Sequence, residues 1–588
     1  MFKSEQEAIE LKIREYLARQ DIPNPEEIQW NPIPFSGEWG ISTPCFPLAA
    51  GEARAGKKVN VPERAQEIAA GIVDYIGLPE GFRHVEAVKG YLNLYFSSRE
   101  FSQRVVDNVL REGEAFGRHA PSEMQVMLEY SNPNTHKAFH VGHLRSAILG
   151  ESLARITEFA GHDVVRANYI GDMGLHVIKW LWNYQRYHLG EKPPADTTRW
   201  MGDLYSEANQ RLEQNPELEA EVRELYSRWD RRDPEVVALW EETRQWSVDH
   251  FEKIYAILGI HFDRWYSNSQ MEQPGKQVVE QLIADQIAED ERSSGGPVIV
   301  RIDDKLGLEK ETYRVLVVLR SDGTALYATE DLALAISKFS DYDLSSSIYI
   351  VDVRQSLHFQ QVFKTLEIAN YAWAARNKHI PYEVVNLPGN VVMASRDGTI
   401  VLLDELISEA RGRALEIVEE KNPALEAAQK EDIAKAVGLG AIKYSMLARD
   451  NAKIVTFDWD SALDFNGQAA PYIQYAHVRA NSILRRLDES LPASADLNHE
   501  LDATEIELID AISRFPGEVQ RAAAEYKPLH ITNLAYDLAR LFNDFYQKCP
   551  VLKAEPEIRA FRLRLVAASR QTIANALYLL SIQAPEVM

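Results

Sequence analysis

The sequence predicts an α/β protein built on an open, doubly wound parallel sheet, with a small α+β unit before it and an all-α bundle after it. Three observations carry that expectation. A short apolar run, Gln125 to Tyr130, leads through a polar loop, Ser131 to Phe139, into a helical segment, His140 to Ala160, and then into a second apolar run, Asp163 to Tyr169. Right-handed crossover makes such a unit a parallel strand pair. Further runs at Val315–Leu319, Ile348–Val351 and Val384–Leu387 alternate with helical stretches at Leu332–Phe339 and Phe359–Ala374, the rhythm of a sheet with helices on both faces. After Trp459 the chain reads as long helices to its end, around Tyr472–Leu487, Ile531–Lys548 and Ile558–Leu580.

Each element follows from local chemistry. Ser4–Arg19 opens with Ser4 and Glu7 at capping-box spacing and carries apolar Ile9, Leu11, Ile13 and Leu17, as a partly amphipathic helix does. Val61–Ile76 reads as helix and Tyr91–Phe96 as an alternating strand, giving an N-terminal α+β unit over 1–118. The stripe Val141, Leu144, Ile148, Ile156 and Phe159 defines the helix after the polar loop, and Gly161 is its C′ stop. A parallel-sheet domain is expected over 119–400, interrupted at about 178–260 by a polar helical insertion with six tryptophans, whose rings are expected to form ridges between packed helices. A connecting helical segment, 401–464, precedes the bundle, 465–588. There Arg559, Arg562, Arg564 and Arg570 follow one another without an acid between them, which reads either as a local polyanion face or as a solvated flank.

Composition removes several classes of function. The 588 residues are 45% hydrophobic, 26% charged and 10% aromatic, a balance able to bury several cores. Two cysteines, Cys45 and Cys549, stand far apart without neighbours at metal-ligand spacing, so neither a disulfide framework nor a structural zinc site is expected. No apolar run reaches membrane-span length and the start resembles no signal peptide; a cytoplasmic protein is expected. The net charge of -24 disfavours binding of polyanions by the whole surface, so a nucleic acid would have to meet a local patch.

The informative segment is Ser131–Ser146, SNPNTHKAFHVGHLRS, placed where a parallel sheet opens onto its first helix and where such sheets bind ligands. Helix N-terminal N–H groups favour anions, His140 and His143 share one helix face, and Gly142 between them lets a flat base approach the backbone.

With its flanks this segment resembles the first signature of class I aminoacyl-tRNA synthetases, in wording closest to the arginyl-tRNA synthetase family. The resemblance continues through Gly171-Asp172-Met173-Gly174, Ser321 to Asp331 (SDGTALYATED), Arg354 to Phe359 (RQSLHF), Ala470 to His477 (APYIQYAH), Leu534 to Arg540 (LAYDLAR, like the Asp-Ala-Leu-Arg anticodon-binding bundle) and the terminal Ala584-Pro585-Glu586-Val587-Met588. Gly37–Ala49 and Gly90–Phe96 resemble the family's extra N-terminal domain, which contacts tRNA.

The resemblance implies a Rossmann-like class I catalytic domain and the ATP-dependent activation of L-arginine to arginyl-adenylate, followed by transfer to tRNA(Arg). ATP with Mg²⁺ enters as substrate; no tightly bound cofactor, no resident metal and no membrane are implied, and a monomer is expected. The rival reading is a paralogue that binds tRNA or arginine without charging. His140, His143 and Lys137 are the implied charge stabilisers, with Arg396 the cation remaining in the loop Val391–Gly398, where the family's Lys-Met-Ser-Lys-Ser has lost both lysines. ATP would be held by Pro133, His140, Gly142, His143, Met393, Ser395 and Arg396. Arginine would be met by Ser131, Asn134, His143, Asn268, Tyr327, Asp331 and Gln355, and tRNA by exposed members of Tyr472, Tyr475, His477, Arg479 and Met588. Two departures stand out. Asn268 occupies a position where the family commonly has Glu, and Glu330 replaces the usual Arg beside Asp331. The first is expected to remove a charge from the guanidinium pocket and the second to change the local electrostatics without touching the inferred ligand contact.

Overall fold

The computed structural model describes residues 3–588 except 36, 37, 140, 389, 390, 393–402, 488, 489, 496 and 498. The chain forms two compact units, one of residues 1–116, 479–515 and 537–575, the other of 117–478, 516–536 and 576–588.

In the first unit, antiparallel strands in the order Asn31–Pro32, Gly40–Pro44, Tyr91–Phe96, Phe82–Val88 pair with one another. The helix Val61–Ile76 buries Ala65, Ile68, Ala69, Ile72 and Ile76, a stripe at helical period. The arginine run belongs to the helix Pro556–Leu579, and three of its four members are held internally. Arg562 Nε donates to Glu505 at 2.8 Å and Arg570 Nη1 to Asn481 at 3.1 Å. Arg564, buried, donates to the carbonyls of Pro492 and Ala493 and to Asp107. These cations therefore serve packing, and the polyanion face considered from the sequence is not what they present.

The second unit holds the parallel sheet. Its elements, in chain order, are β1 (Gln125–Glu129), α1 (Val141–Phe159), β2 (Asp163–Ile170), α2 (Pro234–Leu258), β3 (Arg264–Ser267), α3 (Asn268–Ala284), α4 (Tyr327–Asp341), β4 (Leu344–Asp352), α5 (Ser356–Ile368) and β5 (Asn377–Tyr382). The strand order is β5-β4-β1-β2-β3 and every pair is parallel. Strands covered on both faces read as continuous apolar runs, and β1 and β2 are buried along nearly their whole length. The chain winds from β1 outward through β2 and β3, then returns to the other side of β1 with β4. The switch in direction between β1 and β4 opens a crevice at their carboxyl ends. Gly161, at φ +97°, ends α1 as the sequence predicts, and a Cβ there would strike the Ala120 carbonyl.

Two runs assigned to the main sheet lie elsewhere. Val315–Leu319 pairs antiparallel with Val298–Arg301 in a separate three-stranded sheet, and Val385–Leu387 sits in a small sheet with Val391–Val392 and Val455–Thr456. An apolar run declares that a strand is buried but not which neighbour it takes. The insertion forms helices Leu175–Asn183, Thr197–Gln214 and Glu219–Asp230 against α2. Trp180, Trp182, Trp229 and Trp240 are buried in its core, with Trp200 and Trp246 packed against them, the ridge packing expected of them. Helices Leu403–Lys421 and Ala427–Leu447 follow. Among the described residues no helix is long and apolar enough to cross a membrane.

Candidate active site

The loop after β1 enters the crevice in a strained conformation. Ser131, Asn132 and His136 all have positive φ, at +75°, +47° and +58°, a cost that persists only where surrounding bonds enforce it. Those bonds are visible. The Ser131 amide donates to Ser146 Oγ at 3.0 Å, whose hydroxyl donates to the Ile350 carbonyl at 3.0 Å, fastening the loop to α1 and β4. Asn132 Nδ2 donates to Glu129 at 3.0 Å and its Oδ1 accepts from the Tyr169 amide at 3.1 Å. The buried His136 imidazole lies 2.9 Å from both Thr135 Oγ1 and Thr243 Oγ1, and burial holds its pKa well below the usual histidine range. His136 is therefore a neutral strut. Arg145, also buried, donates to the carbonyls of Glu383, Val384, Asn451 and Lys453. The Arg-Ser that closes the motif thus stitches the fold together.

The residues expected to meet phosphate begin where this loop becomes α1. Gly142 and His143 are half-buried in the first turn, and the rings of Phe139 and His143 lie 5.1 Å apart. Lys137, half-buried, places Nζ 5.1 Å from the centroid of Tyr205. Pro133 is buried beneath the loop, its carbonyl accepting from the Gly171 amide at 3.0 Å. His140, Met393, Ser395 and Arg396 lie outside the described residues.

Around the amino-acid side, β1 and β2 approach until Asn134 bridges Gly171, and Thr135 N donates to the Gly171 carbonyl at 2.9 Å. A Cβ at Gly171 would overlap Asn134 Oδ1 and come 3.4 Å from Asn268 Oδ1. Glycine is therefore required for Asn134 and Asn268 to face each other here. The next residue, Asp172, is fully buried and accepts from Ser269 N at 2.9 Å, Ser269 Oγ at 2.7 Å and Arg244 Nε at 2.7 Å. The Gly-Asp motif ties α2 and α3 to the floor of the site.

The opposite wall is the first turn of α4. Asp322 caps a turn by accepting from Thr324 N at 2.9 Å, and Gly323 takes φ +81°, so Ser321–Thr324 is structural. Tyr327 (69% exposed), Glu330 and Asp331 then share one helix face. Asp331 Oδ2 lies 2.5 Å from His358 Nε2 on α5. Gln355, in the turn before α5, is exposed. Asn268, 5% exposed at the start of α3, donates through Nδ2 to Tyr169 Oη at 2.6 Å and to Glu330 Oε2.

Two expectations change here. Ser131, placed among the arginine contacts, is buried and bonds through Oγ to Tyr255 Oη at 2.7 Å, so its hydroxyl belongs to the core. Glu330, expected to change the local electrostatics without touching the ligand contact, is buried against Asn268 and accepts its amide. Tyr169, Glu330 and His358 are the pocket residues that motif spacing missed. His358 lies inside the quoted Arg354–Phe359 stretch and Glu330 inside Ser321–Asp331, but the parts of Tyr169 and Glu330 show only once Asn268 on α3 bonds to both.

The tRNA candidates divide by exposure. In the second unit Tyr475 is 39% exposed, while Tyr472 is half-buried with its ring 5.5 Å from Tyr536. His477 (6% exposed) donates through Nδ1–H to the Pro585 carbonyl at 2.9 Å, and Met588 is also buried. The expectation covered the exposed members of this set, and these two are buried; His477 holds the Pro585 carbonyl near the chain's end against the helix Ala470–Arg485. In the first unit Arg479 is half-buried, bonds Asn543 and lies 5.2 Å over Tyr546.

A family model described as tRNA synthetases class I (R), catalytic domain, matches residues 105–459, and one described as DALR anticodon binding domain matches 473–588. An arginine–tRNA ligase from Clostridium perfringens is 36% identical, with 95% of this chain and 96% of the relative covered. One from Alkaliphilus metalliredigens is 33% identical over 98% and 99%. The structure of Thermus thermophilus arginyl-tRNA synthetase superposes with a TM-score of 0.76 at 28% identity, covering 99% of this chain and 100% of that one. The Plasmodium falciparum arginyl-tRNA synthetase, at 20% identity and a TM-score of 0.75 over 99% of both chains, shares the fold. The chain belongs to the class I arginyl-tRNA synthetase family.

Proposed function

We propose that this chain is an arginine–tRNA ligase, which joins L-arginine to AMP from ATP, releasing pyrophosphate, and passes the arginyl group to tRNA(Arg). The observation that carries this reading is the acidic pair near the start of α4, Glu330 and Asp331, with Glu330 accepting from Asn268, which lies beside Gly171 and Asn134 in the crevice that the β1 loop enters. A guanidinium is planar and donates through a rigid fork, so paired carboxylates are its natural acceptors.

In the first step the arginine carboxylate attacks the α-phosphorus and pyrophosphate leaves. The protein has no bond of its own to make; it positions the reactants and stabilises charge. ATP enters as its Mg²⁺ complex. The amino end of α1, with Gly142 admitting the base and His143 and His140 donating to phosphate oxygens, supplies the stabilisation, and Lys137 stands in for the lysines missing from the Val391–Gly398 loop, beside its remaining cation Arg396. Asn134 meets the main-chain groups of arginine, while Asp331 and Tyr327 meet the guanidinium and Gln355 closes the pocket's edge. Residues 465–588 read the anticodon, with Tyr475 an exposed aromatic able to stack on a splayed base, and 1–118 adds a further tRNA contact. Between them stand the catalytic residues 119–400 and the connector 401–464. The enzyme works as a monomer in the cytoplasm.

The test is ATP–pyrophosphate exchange with each amino acid, with and without tRNA, followed by aminoacylation. Exchange with arginine, dependent on tRNA as the family resemblance implies, is expected. Failure of folded protein to arginylate homologous tRNA would overturn the reading.

A further inference from the structure

The carboxylates around the pocket divide sharply by partner. Asp331 has His358, Glu272 has Lys276 at 2.8 Å, Asp172 has Arg244 at 2.7 Å and Glu129 has Lys338 at 2.5 Å. Glu330 is only 8% exposed, yet among the described residues no cation pairs with it; its one side-chain partner is the Asn268 amide. A buried carboxylate is costly to ionise without a counter-charge. Accordingly its pKa is pushed up to about 8, first by burial and then by the neighbouring Asp331. A fold gains nothing from leaving such a group without a cation, unless the cation arrives with the substrate.

We propose that Glu330 is the second carboxylate of the arginine site, gripping the guanidinium together with Asp331, and that Asn268 is the residue that positions it. The inference deepens the arginine reading and rests on it. The geometry supports it on three counts. Glu330 and Asp331 lie three and four residues after Tyr327 on α4, and after the larger effect of burial both charges act on the Tyr169 hydroxyl, pushing its pKa up. Each keeps one oxygen without a hydrogen-bond partner among the described residues, because Asp331 Oδ2 faces His358 and Glu330 Oε2 accepts from Asn268. A forked donor can use both remaining oxygens. Finally, Asn268 is itself fixed by Tyr169 Oη at 2.6 Å and abuts Gly171 beside Asn134, which links the guanidinium end of the pocket to its main-chain end. The two sequence departures, Asn at 268 and Glu at 330, are then a single exchange: the acid has crossed from α3 to α4, and the amide that replaced it orients the acid.

Steady-state arginylation of tRNA by the full-length protein tests this with Glu330→Gln and with the swap Asn268→Glu/Glu330→Gln, all checked for native circular dichroism. Glu330→Gln is expected to raise KM for arginine on the order of 10- to 100-fold, the weight of a charge-assisted pair, with KM for ATP and kcat within about threefold. The swap should return KM to within about fivefold of the parent, because the amide and the acid have merely changed sides; a purely structural role for Glu330 would not be rescued in this way. An unchanged KM for arginine in Glu330→Gln, an equal loss in ATP KM, or a swap no better than the single variant overturns the proposal. A parent protein that does not charge tRNA with arginine removes the functional reading and this inference with it, whereas an active parent beside an unaffected Glu330→Gln removes the inference alone.

Discussion

The arginine run of the helix Pro556–Leu579 and the acidic pair that begins α4 are both tight clusters of like charge in the sequence, and the fold treats them in opposite ways. Arg562, Arg564 and Arg570 each end on acceptors supplied by the protein, among them Glu505, Asp107, two carbonyls and Asn481. Glu330 is as deeply buried as Arg564, with an amide for company. A charge whose partners are already in place is holding the structure, whereas a charge buried short of its counter-ion is a stored cost that a ligand can relieve. Asp331 stands between these cases, half satisfied by His358.

The largest effect should come from residues that act only while charge develops. His143→Ala and Lys137→Ala are each expected to lower kcat by ~10²- to 10³-fold, the weight of one donor aimed at a transition state, with tRNA affinity little changed. Single-turnover adenylate formation measures this directly, and a Lys137→Ala enzyme with an intact activation rate would show that the cation comes from elsewhere.

Next comes a stability test of the stored cost. Below pH 4.5, the carboxyl's ordinary value, Glu330 is protonated whether the chain is folded or not, and above about 8 it is ionised in both states. Between those limits the folded protein holds the proton that the unfolded chain has released, so the group's contribution to stability falls as pH rises through the window. Glu330→Gln lacks this dependence. Relative to the parent it should therefore gain stability from pH 5 to pH 8, on the order of 2 kcal/mol or more, even though arginine binding suffers. Parallel denaturant melts across that range decide the matter; a variant that loses ground as pH rises would mean that Glu330 is stabilised by a cation in the folded chain.

Arg564→Ala should behave in the reverse manner. Removing the guanidinium leaves the carbonyls of Pro492 and Ala493 without their donor, which is expected to cost about 2 to 3 kcal/mol, while KM for arginine per folded molecule stays within about twofold. A shift in KM without loss of stability would erase the contrast between the two charged regions.

Much of this was readable in the chain. The β1–α1–β2 unit follows from apolar spacing and Gly161, and the resemblance brought Asn134, Asn268, Tyr327, Asp331 and Gln355 to the fore before any geometry was known. The failures have physical causes. Val315–Leu319 is a strand whose partner, Val298–Arg301, is chosen by tertiary packing. Arg145 and Ser146 share a motif with His143 yet serve backbone carbonyls, because a motif records what evolution keeps without separating support from chemistry. His477 and Met588 are a polar and a terminal residue that the fold buries, His477 with its Nδ1–H spent on the Pro585 carbonyl. For Glu330 the resemblance implies a change of local electrostatics and no more, because its partner Asn268 is distant in sequence and adjacent only once α3 lies on α4.

The smallest effect belongs to Asn268→Glu alone, and it reverses what the sequence suggests. If Asp331 were the sole acid facing the guanidinium, adding a carboxylate at 268 would strengthen binding by about 1 kcal/mol, near fivefold in KM. In the structure that place is taken. The new carboxylate would lie against Glu330, where the Asn268 amide now donates, and would lose a hydrogen bond while gaining a like-charged neighbour. Two acids so close share one proton near neutral pH instead of both ionising, so no net charge is gained for the substrate and the orientation of Glu330 is lost. KM for arginine should therefore rise about two- to fivefold at pH 7, with Tyr169 Oη still holding one oxygen of residue 268 through its own proton. Arginine titrations at fixed ATP and tRNA read the sign. A fivefold fall in KM would mean that residue 268 still meets the guanidinium itself, that Glu330 does not, and that its burial without a cation serves something other than arginine.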